Sequence, residues 1–198
     1  MNLPTIPSAP QIDKTWSLFL DRDGVINEEI IGSYVTDRSE FAFCTGALDA
    51  LAHLNQCFGT IVVVTNQRGV GRGIMSLEQL KDINRYMQDA ITAAAGRIDR
   101  IYACTALDEN DHNRKPNCGM ALQAKEDFSA IDFHKSIMVG NSMSDMEFGK
   151  RMGMYTVFIT SKLPAFELPN DYIDAQFPSL KAWAESLKPA GALMDCMA

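Results

Sequence analysis

The sequence lacks an apolar run long enough to cross a membrane, since no stretch approaches the roughly 18 residues that such a helix needs. It also lacks a basic stretch: Lys and Arg are scattered, and the formal net charge of the 198 residues is −7. Proteins that follow a nucleic-acid backbone or an anionic membrane need clustered positive charge. We therefore expect neither a nucleic-acid partner nor a membrane partner. The N-terminus has no basic start followed by an apolar stretch, so we expect no secretory signal.

Closely paired cysteines are also missing. The cysteines are odd in number and widely spaced, with no C-x-x-C pair; they are Cys44, Cys57, Cys104, Cys118 and Cys196. This pattern is typical of reduced thiols, so we expect a cytoplasmic protein. Because 46% of the residues are apolar, the chain can bury a core without disulfides. We predict a single domain over residues 17–198 and an extended, proline-containing N-terminal arm over residues 1–16.

Short apolar runs alternate with segments of helical periodicity along most of the chain. Strands are predicted at residues 17–20, 60–65, 99–104, 136–140 and 154–160, and helices at residues 47–57, 76–95, 118–128, 144–152 and 179–187. This alternation predicts an α/β protein with a doubly wound parallel sheet. Ligands bind at the carboxyl ends of the strands in such sheets. The residues that follow each strand are therefore the candidates for function.

Polar residues of particular kinds follow four of the predicted strands. In chain order they are Asp21, Asp23, Thr65, Lys115, Asn141 and Asp145. Two carboxylates at positions i and i+2 of an extended segment point the same way, so Asp21 and Asp23 can flank one phosphoryl group. An anion bound by this acidic protein requires a cation or a metal at the site itself, and Lys115 is the candidate cation.

The chain resembles the haloacid dehalogenase superfamily of phosphatases over residues 17–160. The resemblance rests on D-R-D-G-V-I-N after the first strand, T-N-Q-R-G-V-G-R-G at the end of the second, and R-K-P before the third helix. These segments are most similar to the branch of the histidinol-phosphate and heptose-bisphosphate phosphatases. The resemblance implies a Rossmann-like core with central strand order 3-2-1-4-5. It also implies a Mg²⁺-dependent phosphomonoester hydrolase that acts through an aspartyl phosphate.

The resemblance further implies a role for each matching residue. Asp21 would be the nucleophile, and Asp23 would protonate the leaving alkoxide and later deprotonate water. Lys115 and the Thr65 hydroxyl would bind the phosphoryl oxygens. Mg²⁺ would be held by Asp21, the main-chain carbonyl of Asp23 and residue 141. The role of Asp23 requires it to hold a proton part of the time, and crowded carboxylates raise the pKa of one member.

Position 141 departs from the family pattern, because Asn stands where Asp is usual. An amide oxygen still binds Mg²⁺ but brings no charge, so we expect weaker metal binding. Asp145, one helical turn later, is expected to compensate directly or through a bound water. The alternative is a catalytically weak, phosphate-binding regulatory domain.

The branch often carries a zinc loop of Cys and His between the third strand and the Lys. Here Cys104 occupies the place of the first ligand, and His112 is the one further candidate before Arg114. Structural zinc requires four such ligands. We predict Mg²⁺ as the metal and no zinc.

The loops at residues 24–46 and 105–113 are too short for a separate cap domain, so we expect an open site. Residues of the first loop, including Glu28, Glu29, Ser33 and Tyr34, are candidates to contact a sugar, although Tyr34 is equally explained as a packed aromatic. The predicted substrate-binding set is Asn66, Gln67, Arg68, Arg72, Arg114 and Tyr34. The arginines suit a second phosphate, although Arg68 and Arg72 are also explained as solvated. We favour heptose 1,7-bisphosphate as substrate, with histidinol phosphate as the alternative.

Overall fold

The computed structural model describes residues 10–161 and 165–188, which form a six-stranded parallel sheet with helices on both faces. The elements are β1 (Ser17–Leu20), α1 (Ala47–Cys57), β2 (Thr60–Asn66), α2 (Arg68–Gly71), α3 (Leu77–Ala93), β3 (Arg100–Cys104), α4 (Gly119–Asp127), β4 (Ser136–Gly140), α5 (Met143–Arg151), β5 (Tyr155–Ile159), β6 (Ala175–Phe177) and α6 (Leu180–Ser186). Two 3₁₀ turns, Arg38–Glu40 and Phe133–Lys135, complete the set.

The strands lie in the order β3-β2-β1-β4-β5-β6. The predicted α/β class and central order 3-2-1-4-5 are confirmed. At the centre Leu18 of β1 pairs with Ile61 of β2 and Ile137 of β4. Helices cover both faces of these strands, which explains why they consist almost entirely of apolar residues.

Two elements were not predicted. The strand β6 has three half-buried residues and extends the sheet by pairing with β5. It has neither an apolar run nor a full alternation, which are the signals of a strand. The helix α2 has the sequence R-G-V-G, and four residues are too few to show helical periodicity.

Two groups of helices sandwich the sheet. On one face α1, α3 and α6 contribute buried side chains such as Leu51, Met87 and Trp183. On the other face α4 and α5 contribute Met120 and Phe148. The longest helix, α3, begins at the predicted N-cap, where Ser76 and Gln79 form a reciprocal capping box. Such a box satisfies main-chain N–H groups that have no partner within the helix.

The predicted N-terminal arm is described only in part, because residues 1–9 lie outside the described residues. In the described part, the Lys14 ammonium donates to the carbonyl oxygens of Asn55 (2.5 Å) and Phe58 (3.1 Å) at the end of α1. Residues 162–164 and 189–198 of the predicted domain are also outside the described residues.

Among residues 10–161 and 165–188, no large cap covers the carboxyl edge of the sheet. Between β1 and α1 the chain forms one 3₁₀ turn and two isolated β-bridges. This segment is therefore a loop and not a separate cap domain, as its length predicts. In the described part of the chain, no helix is long and apolar enough to cross a membrane.

The contribution of the core to stability can be tested at Leu54, which is fully buried on α1. We expect Leu54→Ala to lower the free energy of unfolding by about 2–5 kcal/mol, because it leaves a cavity. The matched control is Leu122→Ala on α4, where the side chain is 40% exposed and a change within about 0.5 kcal/mol is expected. Urea denaturation measures both. Equal losses in the two variants would contradict this description of the core.

Candidate active site

The predicted catalytic residues meet at the carboxyl edge of the sheet. They line one cavity of about 310 Å³, together with loop residues that follow β1. The predicted residues that line it are Asp21, Asp23, Glu29, Ser33, Tyr34, Thr65, Asn66, Gln67, Lys115, Asn141 and Asp145. They come together because β1, β2 and β4 are neighbours and run parallel, so that their carboxyl ends open at the same place.

Lys115 is the cation at the centre of this cavity. Its side chain is 1% exposed, and its Nζ lies 2.9 Å from Asp21 Oδ1 and 2.6 Å from Asp145 Oδ1. The ammonium also donates to the carbonyl oxygen of Val64 on β2, at 2.6 Å. Burial alone would lower the pKa of Lys115, but the charges of Asp145 and Asp21 raise it above the ordinary value. Lys115 is therefore positively charged at neutral pH.

Asp21 is a carboxyl group poised to change its charge near neutral pH. Burial, followed by the neighbouring charge of Asp145, raises its pKa to about 7, although Lys115 acts in the opposite direction. The main-chain N–H of Arg22 donates to Asp21 Oδ1 at 2.8 Å. The carboxyl group is thus held at the end of β1, facing the cavity.

Asp23 is surrounded by donors. Arg22 Nη2 lies 3.0 Å from both of its oxygens, Asn27 Nδ2 donates at 2.9 Å and Gln67 Nε2 at 2.7 Å. Burial acts to raise the pKa of Asp23, but Arg22 and these hydrogen bonds lower it below the ordinary value. The expectation that crowding would favour a proton on Asp23 was therefore wrong for the ligand-free protein. The raised pKa belongs to Asp21.

Arg22 is a functional candidate that the sequence analysis missed. Its side chain is 1% exposed, and besides its ion pair with Asp23 it donates from Nη1 to Asn84 Oδ1 on α3, at 3.2 Å. An arginine buried at this level is rare unless it is paired. The available signal was its position between two aspartates at the end of an apolar strand. Nothing in the pattern of α3 marks Asn84.

Asn66 and Gln67, predicted to bind substrate, line the cavity and also make contacts within the protein. Gln67 Nε2 donates to Thr65 Oγ1 at 2.9 Å as well as to Asp23. Asn66 pairs with the main chain of Lys115, donating to its carbonyl and accepting from its N–H, both at 3.1 Å. Their amides thus hold Thr65, Asp23 and Lys115 in place, and their predicted role in binding the substrate stays a prediction.

Asp145, at the start of α5, forms an ion pair with Lys115. It is fully buried, and its Oδ2 accepts from the Ser142 N–H (3.0 Å) and hydroxyl (2.7 Å) in a capping box at the start of α5. Its Oδ1 faces Lys115. Both oxygens are thus engaged within the protein. The expectation that Asp145 compensates for Asn141, directly or through a bound water, stays a prediction.

Asn141 lies directly against the loop that follows β1. A Cβ atom at Gly24, where φ is +80°, would lie 2.0 Å from Asn141 Nδ2, so only glycine permits this approach. The Asp21 carboxylate, the Asp23 carbonyl and the Asn141 amide oxygen are hard oxygen donors of the kind that Mg²⁺ prefers, with water completing the shell. In the described part of the chain, no three His, Cys, Asp or Glu residues are placed to hold a metal by themselves. The absence of zinc stays a prediction.

The three predicted arginines do not line the cavity. Arg68 pairs with Glu109 at 3.0 Å, and the Arg72 guanidinium carbon lies 5.9 Å from the centre of the Tyr34 ring. Arg68 Nε and Arg114 Nη1 are both buried without a hydrogen-bond partner among the described residues. The expected role of the three arginines in binding the substrate stays a prediction, whereas Tyr34 lines the cavity.

Comparison with known proteins agrees with this geometry. The family model described as polynucleotide kinase 3 phosphatase matches residues 18–171. A D-glycero-D-manno-heptose-1,7-bisphosphate 7-phosphatase of Chlorobaculum tepidum is 34% identical over 72% of this chain and 77% of that protein. The corresponding D-glycero-alpha-D-manno enzyme of Mycobacterium tuberculosis is 35% identical over 85% of this chain and 90% of its own.

A solved structure shows the same fold. The D,D-heptose 1,7-bisphosphate phosphatase of B. bronchiseptica, complexed with magnesium and phosphate, superposes with a TM-score of 0.77 at 28% identity, covering 86% of this chain and 96% of that one. The chain belongs to the haloacid dehalogenase superfamily of phosphatases. Within that superfamily it lies in the branch of the heptose-1,7-bisphosphate phosphatases.

The electrostatics of the site give a prediction for the metal-free protein. We expect the Asp21 carboxyl to titrate with a midpoint of about 7, and Asp23 to remain ionised through that range because its pKa is lowered. NMR of the side-chain carboxyl carbons in ¹³C-labelled protein measures both, with Asp21→Asn to assign the signal. A protonation of Asp23 near neutral pH, with Asp21 ionised throughout, would reverse the assignment.

Proposed function

We propose that this phosphatase hydrolyses one phosphomonoester of a small sugar bisphosphate through an aspartyl phosphate, with D-glycero-D-manno-heptose 1,7-bisphosphate as the favoured substrate. The observation that carries the proposal is the meeting of Asp21, Asp23 and Lys115 in one cavity. The names of the relatives support the choice of substrate.

In the first step Asp21 supplies the nucleophile. One of its carboxylate oxygens forms a bond to phosphorus, the bond between phosphorus and the sugar oxygen breaks, and Asp23 gives its proton to that oxygen. The low pKa of Asp23 in the ligand-free protein means that its acid form depends on the arrival of the phosphoryl anion, since a nearby negative charge raises the pKa of a carboxyl group.

In the second step Asp23 acts as the base. It takes a proton from water as the water oxygen bonds to phosphorus, and the bond from phosphorus to Asp21 breaks. Inorganic phosphate and the Asp21 carboxylate are released. Arg22, Asn27 and Gln67 hold both oxygens of Asp23, so the same group is oriented for both proton transfers.

Positive charge must offset the approach of a carboxylate to a phosphate. Lys115 is a fixed cation at the cavity, and the Thr65 hydroxyl, which accepts from Gln67, is free to donate its hydrogen to a phosphoryl oxygen. Asp21, the Asp23 carbonyl and Asn141 would hold Mg²⁺, which when bound supplies further neutralisation of the phosphoryl oxygens. The magnesium and phosphate in the B. bronchiseptica complex support this choice of ion.

Recognition of the sugar falls to the loop that follows β1. Ser33 and Tyr34 line the cavity, and each side chain carries a hydroxyl group of the kind that binds the hydroxyls of a sugar. Arg114 does not line this cavity, so the order of the two substrates rests on the names of the relatives. Histidinol phosphate is therefore ranked second.

The nucleophile is tested by phosphate release. We expect Mg²⁺-dependent release from heptose 1,7-bisphosphate to exceed that from histidinol phosphate, and Asp21→Asn to abolish both, because the amide cannot form the aspartyl phosphate. The matched control is Asp89→Asn, which removes the same charge from the exposed surface of α3 and should leave the rate unchanged. No release from either substrate by the unaltered protein, with Mg²⁺ in excess, would favour a phosphate-binding regulatory domain.

The acid role of Asp23 is tested by changing the leaving group. We expect Asp23→Asn to lower kcat for an alkyl phosphate by about 10²–10⁴-fold, the usual contribution of general acid–base catalysis. For p-nitrophenyl phosphate the loss should be much smaller, because its leaving group departs without a proton; single-turnover measurement isolates this first step. An equal loss with both substrates would remove Asp23 from the acid role.

A further inference from the structure

The side-chain amide of Asn141 can bind a cation in only one of its two orientations. A carboxylate at this position would present an oxygen whichever way it turned, whereas an amide presents either an oxygen or an NH₂ group. Only the oxygen binds a cation, and the NH₂ group would repel it. An Asn in this position therefore needs a contact that selects the correct face of the amide.

The loop after β1 provides such a contact. Asn141 Nδ2 donates to Glu29 Oε2 at 3.3 Å, and Glu29 lines the same cavity as Asp21 and Asn141. The carboxylate accepts and cannot donate when ionised, so it fixes the nitrogen of the amide on its own side. The amide oxygen is then the atom left for the cavity.

We propose that Glu29 is a positioning residue for the cation: it orients the amide of Asn141 so that the oxygen faces the Mg²⁺ site, and it returns to the site the negative charge that Asn lacks. The inference rests on the proposed metal site. Glu29 acts through Asn141 and is not itself a ligand. The pair Glu29–Asn141 thus does together what a single carboxylate ligand would do.

A purely structural role for the contact is a poor explanation. Glu29 is exposed on a loop, and a hydrogen bond at such a position adds little to the stability of the fold. Variants at Glu29 should therefore fold normally, which thermal unfolding checks. The effect of Glu29 should appear in metal affinity, where orientation matters.

The test is a cycle of variants with Mg²⁺ affinity as the readout. Isothermal titration calorimetry gives the dissociation constant for Mg²⁺ in the substrate-free protein, independently of catalysis. The proteins are the unaltered chain, Glu29→Ala, Glu29→Gln, Asn141→Asp and the two double variants. Glu28→Ala is the matched control, because it removes the same charge from the adjacent position, which does not line this cavity.

We expect Glu29→Ala to weaken Mg²⁺ binding about fivefold, the size of one hydrogen bond. Glu29→Gln should weaken it only about twofold, because the Gln oxygen still accepts from Asn141 while the exposed charge is lost. In the Asn141→Asp background both changes should cost no more than about twofold, because a carboxylate needs no orientation. Glu28→Ala should leave the affinity as it was.

The same measurements distinguish a failure of the proposed metal ligands from a failure of the role proposed for Glu29. If Asn141→Asp leaves Mg²⁺ affinity unchanged, Asn141 is not a ligand and the proposed metal set fails together with this inference. If Asn141→Asp tightens binding but Glu29→Ala has the same effect in both backgrounds, or none, the metal set stands and the positioning role of Glu29 is overturned. A large and equal loss in both backgrounds would make Glu29 a direct ligand, which also overturns the inference.

Discussion

The buried ammonium of Lys115 is the interaction on which the site depends. It lies between Asp21 at the end of β1 and Asp145 at the start of α5, and it also bonds to the carbonyl of Val64 on β2. Two carboxylates this close to each other in a buried place would repel strongly, and a buried charge without a partner is destabilising. One cation therefore lets three elements of the fold meet at this point.

The carboxylates at the cavity outnumber the buried cations that pair with them. Asp21, Asp23 and Asp145 face two buried cations, since Arg22 serves Asp23 and Lys115 serves the other two. Burial, followed by the charge of Asp145, raises the pKa of Asp21 although Lys115 lowers it. The least compensated carboxylate is thus the proposed nucleophile and metal ligand, so a divalent cation would complete the balance at the atom where the chemistry begins. Functional sites often concentrate perturbed pKa values in this way.

Much of the site was predictable because it depends on strand ends. Parallel strands bring their carboxyl ends together whatever the loops do, so Asp21, Thr65 and Asn141 could be grouped from the pattern alone. The contacts of Arg68 with Glu109 and of Arg72 with Tyr34 could not be predicted, because the paths of loops and their surface ion pairs leave no periodic signal. The protonation of Asp23 was missed for a related reason. Its pKa depends on Arg22, whose direction toward the carboxylate is set by packing, and on donors from two other segments.

The central claim is that Asp21 forms a covalent bond to phosphorus, and reductive trapping tests it most directly. Borohydride reduces an aspartyl phosphate to homoserine, which mass spectrometry locates in the peptide. The account predicts conversion of Asp21 to homoserine only when Mg²⁺ and substrate are both present during turnover. Steady release of phosphate with Asp21 unmodified, or conversion of Asp23 or Asp145 in its place, would contradict it.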